Sequence, residues 1–287
     1  MDVAIPSNAL LAEGPRWDAA GGRLLWVDIE AGALHLFDPA GGRDRAIQLG
    51  SRVGAAAPTH DAARVLVALA DRLALVDLED GSLHTLVEIP HGEGIRLNDG
   101  ACDAAGRFWI GSMALDESPA AGALYRYSGD AGLERVLEGV TLSNGLGWSP
   151  DHGTMYYIDS MTYRVDRFDV DVASGAIADR RPFATIERGA GVPDGLAVDD
   201  EGCVWVALWG GGAVRRYTPN GELERTVAVP AEKVTACCFG GDDGRSLYVT
   251  TASFELSEEE RERQPLAGSV FVKNAGVSGP AAQPFAG

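Results

Sequence analysis

The sequence predicts an all-β fold, a six-bladed β-propeller with four antiparallel strands in each blade. Two observations predict it. Short apolar segments alternate with Gly- and Asp-rich turns along the whole chain, and one type of strand onset recurs six times, centred on positions 14, 55, 100, 145, 195 and 236. The onsets lie 41 to 50 residues apart, a spacing typical of propeller blades. We therefore expect one domain covering residues 1–287.

Each repeat contains the same succession of strands. In the third repeat a first strand ends at Asp103, an apolar strand covers residues 108–111, and an alternating strand covers residues 123–127. Short runs of Val, Ile and aromatic residues between Gly and Asp turns are strand signals. A shorter fourth strand completes the repeat. For the last blade we expect residues 3–5 or 283–285 to supply the outer strand and close the ring, which protects the exposed strand edges.

Other fold classes fit the pattern less well. A β-sandwich would not require so regular a period, and an α/β barrel needs helical patterns of about 10–15 residues between strands. The sequence contains one helical signal, residues 257–263, where Ser257 and Glu260 have the spacing of a capping box. We interpret this segment as a solvated surface insertion in the last repeat.

Charge narrows the set of partners. The chain carries 24 Lys and Arg against 42 Asp and Glu, a net charge of −18. So acidic a chain is not expected to bind nucleic acid or an anionic membrane surface. No stretch has the length and apolar character of a membrane span, and the first residues lack the features of a secretory signal. We expect a cytoplasmic protein, monomeric or weakly homo-oligomeric, with its four cysteines buried and reduced.

Polar residues occur at some strand onsets and not at others. Because the first strand of each propeller blade lines the central channel, residues at the six onsets converge on one mouth of that channel. Four onsets carry polar side chains: Glu13 in the first repeat, Arg96, Asn98 and Asp99 in the third, Asn144 in the fourth and Asp194 in the fifth. The second repeat has only Gly and Ala there, and the sixth has Thr235.

Two interpretations of these onsets are open. Asn-Gly and Asp-Gly are common tight-turn dipeptides, so Asn144-Gly145 and Asp194-Gly195 are compatible with ordinary turns. Glu13-Gly14 is not a favoured turn dipeptide, yet it occupies the same place in its repeat. A set of Glu, Asp and Asn oxygens suits a hard divalent cation such as Ca²⁺, Mg²⁺ or Mn²⁺. The onsets therefore predict a metal site on the central axis.

Familiar catalytic motifs are absent from the sequence. It contains no HExxH, GxSxG, GxxxxGK[ST] or GxGxxG segment, and its five histidines are scattered away from the onsets. Zinc-protease, serine-hydrolase and nucleotide-binding functions therefore have no support from motifs.

Four segments resemble the signatures of the SMP-30/gluconolactonase family, which includes regucalcin. They are residues 11–17 (LAEGPRW), 96–100 with 106–113 (RLNDG and GRFWIGSM), 143–146 (SNGL) and 193–196 (PDGL). The resemblance implies a propeller with one divalent metal on the axis, held by Glu13, Asn144 and Asp194. It also implies that Asn98 and Arg96 lie at the substrate, and that the reaction is hydrolysis of a sugar lactone to the aldonic acid. Ca²⁺ is the favoured ion, with Mn²⁺, Zn²⁺, Mg²⁺ and Fe²⁺ as alternatives.

These residues suit the chemistry. A divalent metal polarises the lactone carbonyl or lowers the pKa of the attacking water. Asn98 or Arg96 would stabilise the developing oxyanion, and a carboxylate must accept the proton of the water. We assign Asp194 as this base, because an Asp that ligates through one oxygen keeps the other free; Glu13 is the alternative.

Two further positions are less specific. Several family members carry a Glu as a substrate contact where this chain has Asp116, one methylene shorter, and Asp116 is equally compatible with a solvated loop acid. Trp209 lies at a strand end beside a Gly-rich turn and is a candidate wall of the pocket. Two rival functions stay open: a calcium- or ligand-binding propeller without turnover, and an esterase or organophosphate hydrolase on the same scaffold.

Overall fold

The computed structural model describes all 287 residues and is built almost entirely of β-strands. Its strands form six antiparallel sheets of four strands each. In five of the sheets the four strands are consecutive in the chain, and the sixth combines three strands near the C-terminal end with the first strand of the chain. The predicted six-bladed propeller is confirmed.

The strand bounds follow the repeats closely. The chain begins with β1 (Asp2–Ile5). Blade 1 contains β2 (Ala12–Asp18), β3 (Arg23–Asp28), β4 (Ala33–Asp38) and β5 (Arg43–Gln48), and blade 2 contains β6 (Val53–Pro58), β7 (Arg64–Leu69), β8 (Arg72–Asp77) and β9 (Leu83–Glu88). Blade 3 contains β10 (Ile95–Cys102), β11 (Phe108–Ala114), β12 (Gly122–Ser128) and β13 (Gly132–Val140), and blade 4 contains β14 (Ser143–Trp148), β15 (Thr154–Asp159), β16 (Arg164–Val170) and β17 (Ile177–Thr185). Blade 5 contains β18 (Val192–Val198), β19 (Val204–Trp209), β20 (Ala213–Tyr217) and β21 (Leu223–Ala228), and blade 6 contains β22 (Val234–Gly240), β23 (Ser246–Thr251) and β24 (Val270–Asn274).

The ring is closed by the N-terminal strand. Strand β1 pairs with β24, with Asp2 opposite Val272 and Val3 opposite Phe271, and so becomes the outer strand of blade 6. Of the two segments that the sequence offered for this place, residues 3–5 take it. Residues 283–285 lie elsewhere, because the amide of Phe285 donates to Pro58 O at the end of β6.

Helical structure is limited to two short segments. A 3₁₀ turn covers Ser160–Thr162, directly after β15. Helix α1 (Glu258–Arg263) follows Ser257, whose side chain accepts from the Glu260 amide while the Glu260 carboxylate accepts from the Ser257 amide. The predicted capping box is therefore present. No helix in the structure combines the length and the apolar character needed to span a membrane.

The core lies between neighbouring blades. Trp26, Trp109 and Trp205 occupy equivalent second strands and are fully buried. Their indole N–H groups are satisfied by carboxylates, as when Trp205 Nε1 donates to Asp199 Oδ2 at 2.8 Å. Trp148 is half-buried. All four cysteines are unpaired thiols and buried. The apolar positions of the repeats thus form the blade-to-blade packing that the sequence pattern predicts.

A segment after β24, residues 276–287, forms what we call the C-terminal strap. It runs across the end of the propeller where the innermost strands finish, and its hydrogen bonds reach five of the six blades. The bonded pairs are Ser278–Asp200 in blade 5, Gly279–Gly244 in blade 6, Ala282–Trp17 in blade 1, Phe285–Pro58 in blade 2 and Ala286–Gly106 in blade 3. The strap thus fastens the ring a second time, on the face opposite the strand onsets.

Candidate active site

The six strand onsets lie in β-bulges at one end of the channel, which we call the upper end. In blade 1, Glu13 is opposite Val27 and Arg16 is opposite Leu25, so β2 advances three residues while β3 advances two. The innermost strands of the other five blades each carry one extra residue at the same point. A bulge re-aims the side chains beside it, and bulges are common next to active sites.

The Asn-Gly and Asp-Gly dipeptides are therefore not turns. Gly145 and Gly195 lie within β14 and β18, and neither has a positive φ. A Cβ on Gly145 would lie 2.6 Å from Leu196 N, and one on Gly195 would lie 2.4 Å from the Cβ of Ala236. Glycine is required because the innermost strands of adjacent blades approach each other too closely for a side chain.

Three predicted site residues form one hydrogen-bonded row. Arg96 Nη1 donates to Asn98 Oδ1 at 2.6 Å, and Asn98 Nδ2 donates to Asn144 Oδ1 at 2.8 Å. The second hydrogen of Asn98 Nδ2 goes to Ser143 O, also at 2.8 Å. Both N–H groups of the Asn98 amide are thus committed to the protein. The expected role of Asn98 as an oxyanion donor is not supported by this geometry, whereas Nε and Nη2 of Arg96 stay free of protein partners.

Ser160 holds the other side of Asn144. Asn144 Nδ2 donates to Ser160 Oγ at 2.8 Å, and Ser160 Oγ in turn donates to Pro193 O at 2.7 Å. Pro193 immediately precedes Asp194, so one buried hydroxyl links the amide of blade 4 to the strand that carries the carboxylate of blade 5. Sequence reasoning missed Ser160, because it follows β15 and belongs to no onset.

Glu13 and Asp194 are buried carboxylates without a cationic partner in hydrogen-bond contact. Glu13 Oε2 accepts from the Gly14 amide at 2.9 Å, while Asp194 accepts no hydrogen bond from the protein. Burial, reinforced by the nearby charge of Asp99, raises the pKa of Glu13 to about 8. Burial and the charge of Glu13 raise the pKa of Asp194 well above its usual value. Because both acids lie at the upper end of the channel, the charge of one disfavours ionisation of the other.

Asp99 and Arg16 form a buried ion pair farther along the channel. Arg16 Nη2 contacts Asp99 Oδ1 at 3.1 Å and donates to Gly100 O at 2.9 Å. The sequence marked Asp99 as an onset residue but gave no role to Arg16. The available signal was the opposite charge at the start of another innermost strand. This pair compensates the charge of Asp99, so that of the three acids at the onsets only Glu13 and Asp194 lack such a partner.

The upper end has the donor set of a site for a hard cation. No group of three or more His, Cys, Asp or Glu side chains lies close enough together to hold a metal. The predicted set is of another composition, two carboxylates and one amide oxygen. Its carboxylates have free lone pairs and no ion-pair partner, and Asn98 and Ser160 fix the orientation of Asn144. Oxygen ligands of this kind fit Ca²⁺ or a similar ion, which would also relieve the repulsion between the acids.

Asp116 and Trp209 lie outside the hydrogen-bonded row. Asp116 is exposed on the loop between β11 and β12, where hydrogen bonds from Ser118 lower the pKa of its carboxyl. No contact joins it to the other predicted site residues. Trp209 is half-buried at the end of β19, and the Lys233 ammonium lies 4.9 Å from the centre of its ring.

The opposite, lower end of the channel holds a separate cavity of about 290 Å³. Its walls are the last residues of the innermost strands, the hairpins that follow them, and the strap. They include Trp17, Leu146, Trp148, Leu196, Phe239 and Ala282. Arg16 also lines this cavity, so the Arg16–Asp99 pair lies between it and the upper site.

Taken together, the fold and these residues define a class: a six-bladed propeller with buried carboxylate and amide oxygens at one mouth of its channel. Comparison with known proteins narrows it. The sequence model of the SMP-30/gluconolactonase/LRE-like region matches residues 11–253. The chain belongs to this family, and thereby to the lactonase class of hydrolases, which act on cyclic ester bonds.

Individual relatives cover the whole chain. A Bacillus subtilis (strain 168) protein, provisionally named sugar lactone lactonase YvrE, is 37% identical over 291 residues, covering 100% of this chain and 99% of its own length. Regucalcin of Gallus gallus is 38% identical over 285 residues, covering 96% and 95%. The crystal structure of regucalcin from Agrobacterium tumefaciens str. C58, described as a calcium-binding protein, has 30% identity and a TM-score of 0.94, covering 99% of this chain and 96% of that one.

Proposed function

We propose that the protein hydrolyses a sugar lactone to its aldonic acid, with one divalent cation held by Glu13, Asn144 and Asp194. The observation that carries this proposal is the pair of buried carboxylates at the upper end, which have no cationic side chain in hydrogen-bond contact and whose pKa values are raised in spite of the nearby charge of Arg96. Burying two acids without an ion-pair partner costs free energy, so their presence together indicates that the function requires them. The family to which the chain belongs supports a lactone as the substrate.

The cation, when bound, supplies Lewis-acid polarisation of the lactone carbonyl or acidification of the attacking water. The residues of the chain divide the other tasks. Asp194 accepts the proton of the attacking water, because both of its oxygens are free of protein hydrogen bonds while Glu13 has one oxygen bound to Gly14. This asymmetry supports Asp194 over Glu13 as the general base.

Arg96 is the donor that we assign to the substrate. Its Nη1 is held by Leu97 O and Asn98 Oδ1, which fixes the guanidinium while its other nitrogens stay available. A fixed donor stabilises an oxyanion without reorganisation during the reaction. Asn98 then acts as a positioning residue, since it orients both Arg96 and Asn144. Asp116 stays a predicted substrate contact from the adjacent loop.

Calcium is the ion that we propose. Carboxylate and amide oxygens with water in the remaining positions are typical Ca²⁺ ligands. Two relatives carry the name regucalcin, and one of them is described as calcium-binding. Mn²⁺, Zn²⁺, Mg²⁺ and Fe²⁺ are the ions against which this proposal is to be tested.

The test is hydrolysis before and after removal of metal. The purified protein is treated with a chelator, and acid release from glucono-δ-lactone is followed with a pH indicator as each divalent ion is added back. We expect the rate to disappear with the metal and to return with Ca²⁺. As a control, the variant Asp80→Asn should keep the wild-type dependence on metal, because Asp80 is exposed on the β8–β9 hairpin of blade 2.

Two outcomes would replace the proposal. The absence of a metal-dependent rate on any γ- or δ-lactone would overturn it, and tight metal binding in that case would favour a binding propeller without turnover. A faster metal-dependent rate on aryl esters or organophosphates than on sugar lactones would favour the other hydrolase on the same scaffold.

A further inference from the structure

A charged pair lies at the rim of the upper end, outside the row that includes Arg96. Glu30 follows β3 and Arg52 immediately precedes β6. Arg52 Nε and Nη2 donate to the same carboxylate oxygen, Glu30 Oε2, at 3.0 and 2.8 Å. The other two polar atoms of the pair, Glu30 Oε1 and Arg52 Nη1, have no hydrogen-bond partner within the protein. The side chain of Glu30 is 15% exposed and that of Arg52 is 42% exposed.

Strand packing places this pair next to Arg96. The innermost strands β6 and β10 touch at Gly54, where an added Cβ would lie 2.3 Å from Asn98 O. Arg52 and Arg96 each lie two residues before these contacting positions, so they occupy the same level in adjacent blades, Arg52 just before β6 and Arg96 within β10. Burial lowers the pKa of the Arg96 guanidinium, and nearby acids raise it. Consistent with the packing, Glu30 raises this pKa more than Glu13 or Asp194 does.

The free atoms of the pair have complementary hydrogen-bonding character. Glu30 Oε1 is an acceptor with charge, and Arg52 Nη1 is a donor with charge. A hydroxyl group can donate to the first, and its neighbour on the same carbon framework can accept from the second. Bonds to charged partners are stronger than neutral ones. A free acceptor and a free donor carried by the same ion pair therefore suit two adjacent hydroxyl groups of a sugar.

We propose that the Glu30–Arg52 pair is a specificity-determining element that binds a vicinal diol of the substrate, beside Arg96. This inference rests on the proposed lactonase function and adds to it the part of the substrate that is recognised. The pair discriminates hydroxylated lactones from plain ones. A pair that served only as a surface ion pair would not distinguish between them.

The double variant Glu30→Ala/Arg52→Ala tests this proposal. Removal of Arg52 alone would leave Glu30 unpaired beside Arg96, whereas the double variant removes one charge of each sign. Glucono-δ-lactone and δ-valerolactone share a six-membered lactone ring, and the second has no hydroxyl groups. We expect KM for glucono-δ-lactone to rise about tenfold, with kcat and both constants for δ-valerolactone within about twofold of the wild type.

A binding measurement separates this inference from the lactonase function. 1,5-Anhydroglucitol has the hydroxylated ring of the substrate without the carbonyl, so it binds without being hydrolysed. We expect calorimetry to give about tenfold weaker binding to the double variant, with Ca²⁺ affinity unchanged. Arg43→Ala is the control. Arg43 also pairs with an acid, Asp38, but this pair lies at the lower end of blade 1, the blade that carries Glu30.

The outcomes are distinct. Equal loss on both lactones, unchanged KM for glucono-δ-lactone, or equal binding of 1,5-anhydroglucitol to wild type and variant would each overturn the diol-binding role. Failure of the wild type to hydrolyse any γ- or δ-lactone would instead overturn the proposed function, and the binding experiment would still decide the role of Glu30 and Arg52.

Discussion

The two ends of the central channel are lined by the same six strands, yet they differ in how their polar groups are satisfied. At the upper end Glu13 and Asp194 are buried with free oxygens and raised pKa values. At the lower end the cavity walls are mainly apolar, and the charged groups that reach them have protein partners: Arg16 pairs with Asp99, Asp199 pairs with Arg216, and Asp200 accepts from Ser278. The same repeat thus places buried acids without an ion-pair partner at one end and mainly apolar packing at the other.

The two ends also differ in strand pairing, since irregular pairing of the innermost strands is confined to the upper end of the propeller. Bulges and close glycines at the onsets bring polar side chains together at the cost of regular pairing. The strap and its apolar contacts fasten the opposite end, where five blades are tied together. We therefore expect substitutions at the upper end to change chemistry and substitutions at the lower end to change stability.

The largest effect is expected for Asp194→Asn. This change removes a proposed metal ligand and the proposed base, so kcat/KM on glucono-δ-lactone should fall about 10³-fold or more. The metal-free protein should not lose stability, because a buried uncompensated carboxyl becomes neutral. Steady-state kinetics and thermal unfolding check both expectations. Trp148→Phe, at the lower end of β14, should leave kcat/KM unchanged; a comparable loss there would remove the distinction between the two ends.

Next in size is the effect of Phe285→Ala on the strap. Phe285 is 3% exposed and stacks on Tyr127 with ring centres 5.9 Å apart. Truncation of a buried Phe typically costs about 3 kcal/mol or more of the free energy of unfolding. Urea unfolding should show this loss while kcat stays near the wild-type value. Leu223→Ala, at an exposed apolar position, is the control. Loss of activity in the folded Phe285 variant would contradict the independence of the two ends.

A third prediction concerns pH and metal together. Because the pKa of Glu13 is raised from 4.5 to about 8 in the folded metal-free protein, the folded state binds more protons than the unfolded state between these values. The free energy of unfolding should therefore fall as pH rises through this window. A Ca²⁺ concentration equal to 100 times the Kd measured above pH 8 should add about 2.7 kcal/mol to the free energy of unfolding at that pH. The same concentration should add less near pH 6, where protons compete for the ligands.

Thermal melts with and without Ca²⁺ across this pH range provide the measurement. Glu13→Gln provides the matched control, since its amide cannot titrate and the fall in stability between pH 4.5 and 8 should become smaller. A metal-free protein whose stability rises steadily over the same range would refute the assignment of Glu13 as a buried, uncompensated acid.

The smallest expected effect is that of Ser160→Ala. Ser160 orients Asn144 and bonds to Pro193 O, so its removal loosens two of the proposed ligand positions without removing a ligand. Loss of such a supporting bond typically weakens metal affinity about tenfold. Calorimetric titration with Ca²⁺ measures it, and Ser149→Ala at the lower end serves as the comparison. Equal affinity in the two variants would show that Ser160 does not position the ligands.

The repeat pattern was enough to predict the blades, because strand periodicity and turn residues are local signals. It also predicted the capping box at Ser257 and Glu260, since both partners lie within one helical turn. The choice between residues 3–5 and 283–285 as the closing strand could not be made locally, because both segments are short and bounded by turns. Pairing of β1 with β24 settled it.

The site was predictable in its residue types and less so in its contacts. Comparison of the six onsets identified Glu13, Asn144 and Asp194 as an oxygen set, which no single motif would have done. Ser160, Arg16 and the Glu30–Arg52 pair were missed, because their partners are 16 to 83 residues distant in the chain. The metal, the substrate role of Asp116 and the cytoplasmic location stay predictions.

The sequence by itself determined the six repeats, the fold class and the polar character of four onsets, because each depends on residue type and spacing along the chain. The tertiary structure decided that Asn144-Gly145 and Asp194-Gly195 lie in bulged strands rather than turns, since only packing against the next blade reveals the need for glycine. It also decided which polar groups keep free atoms. Asn98 donates both of its amide hydrogens to blade 4, whereas the carboxylate of Asp194 accepts no hydrogen bond from the protein.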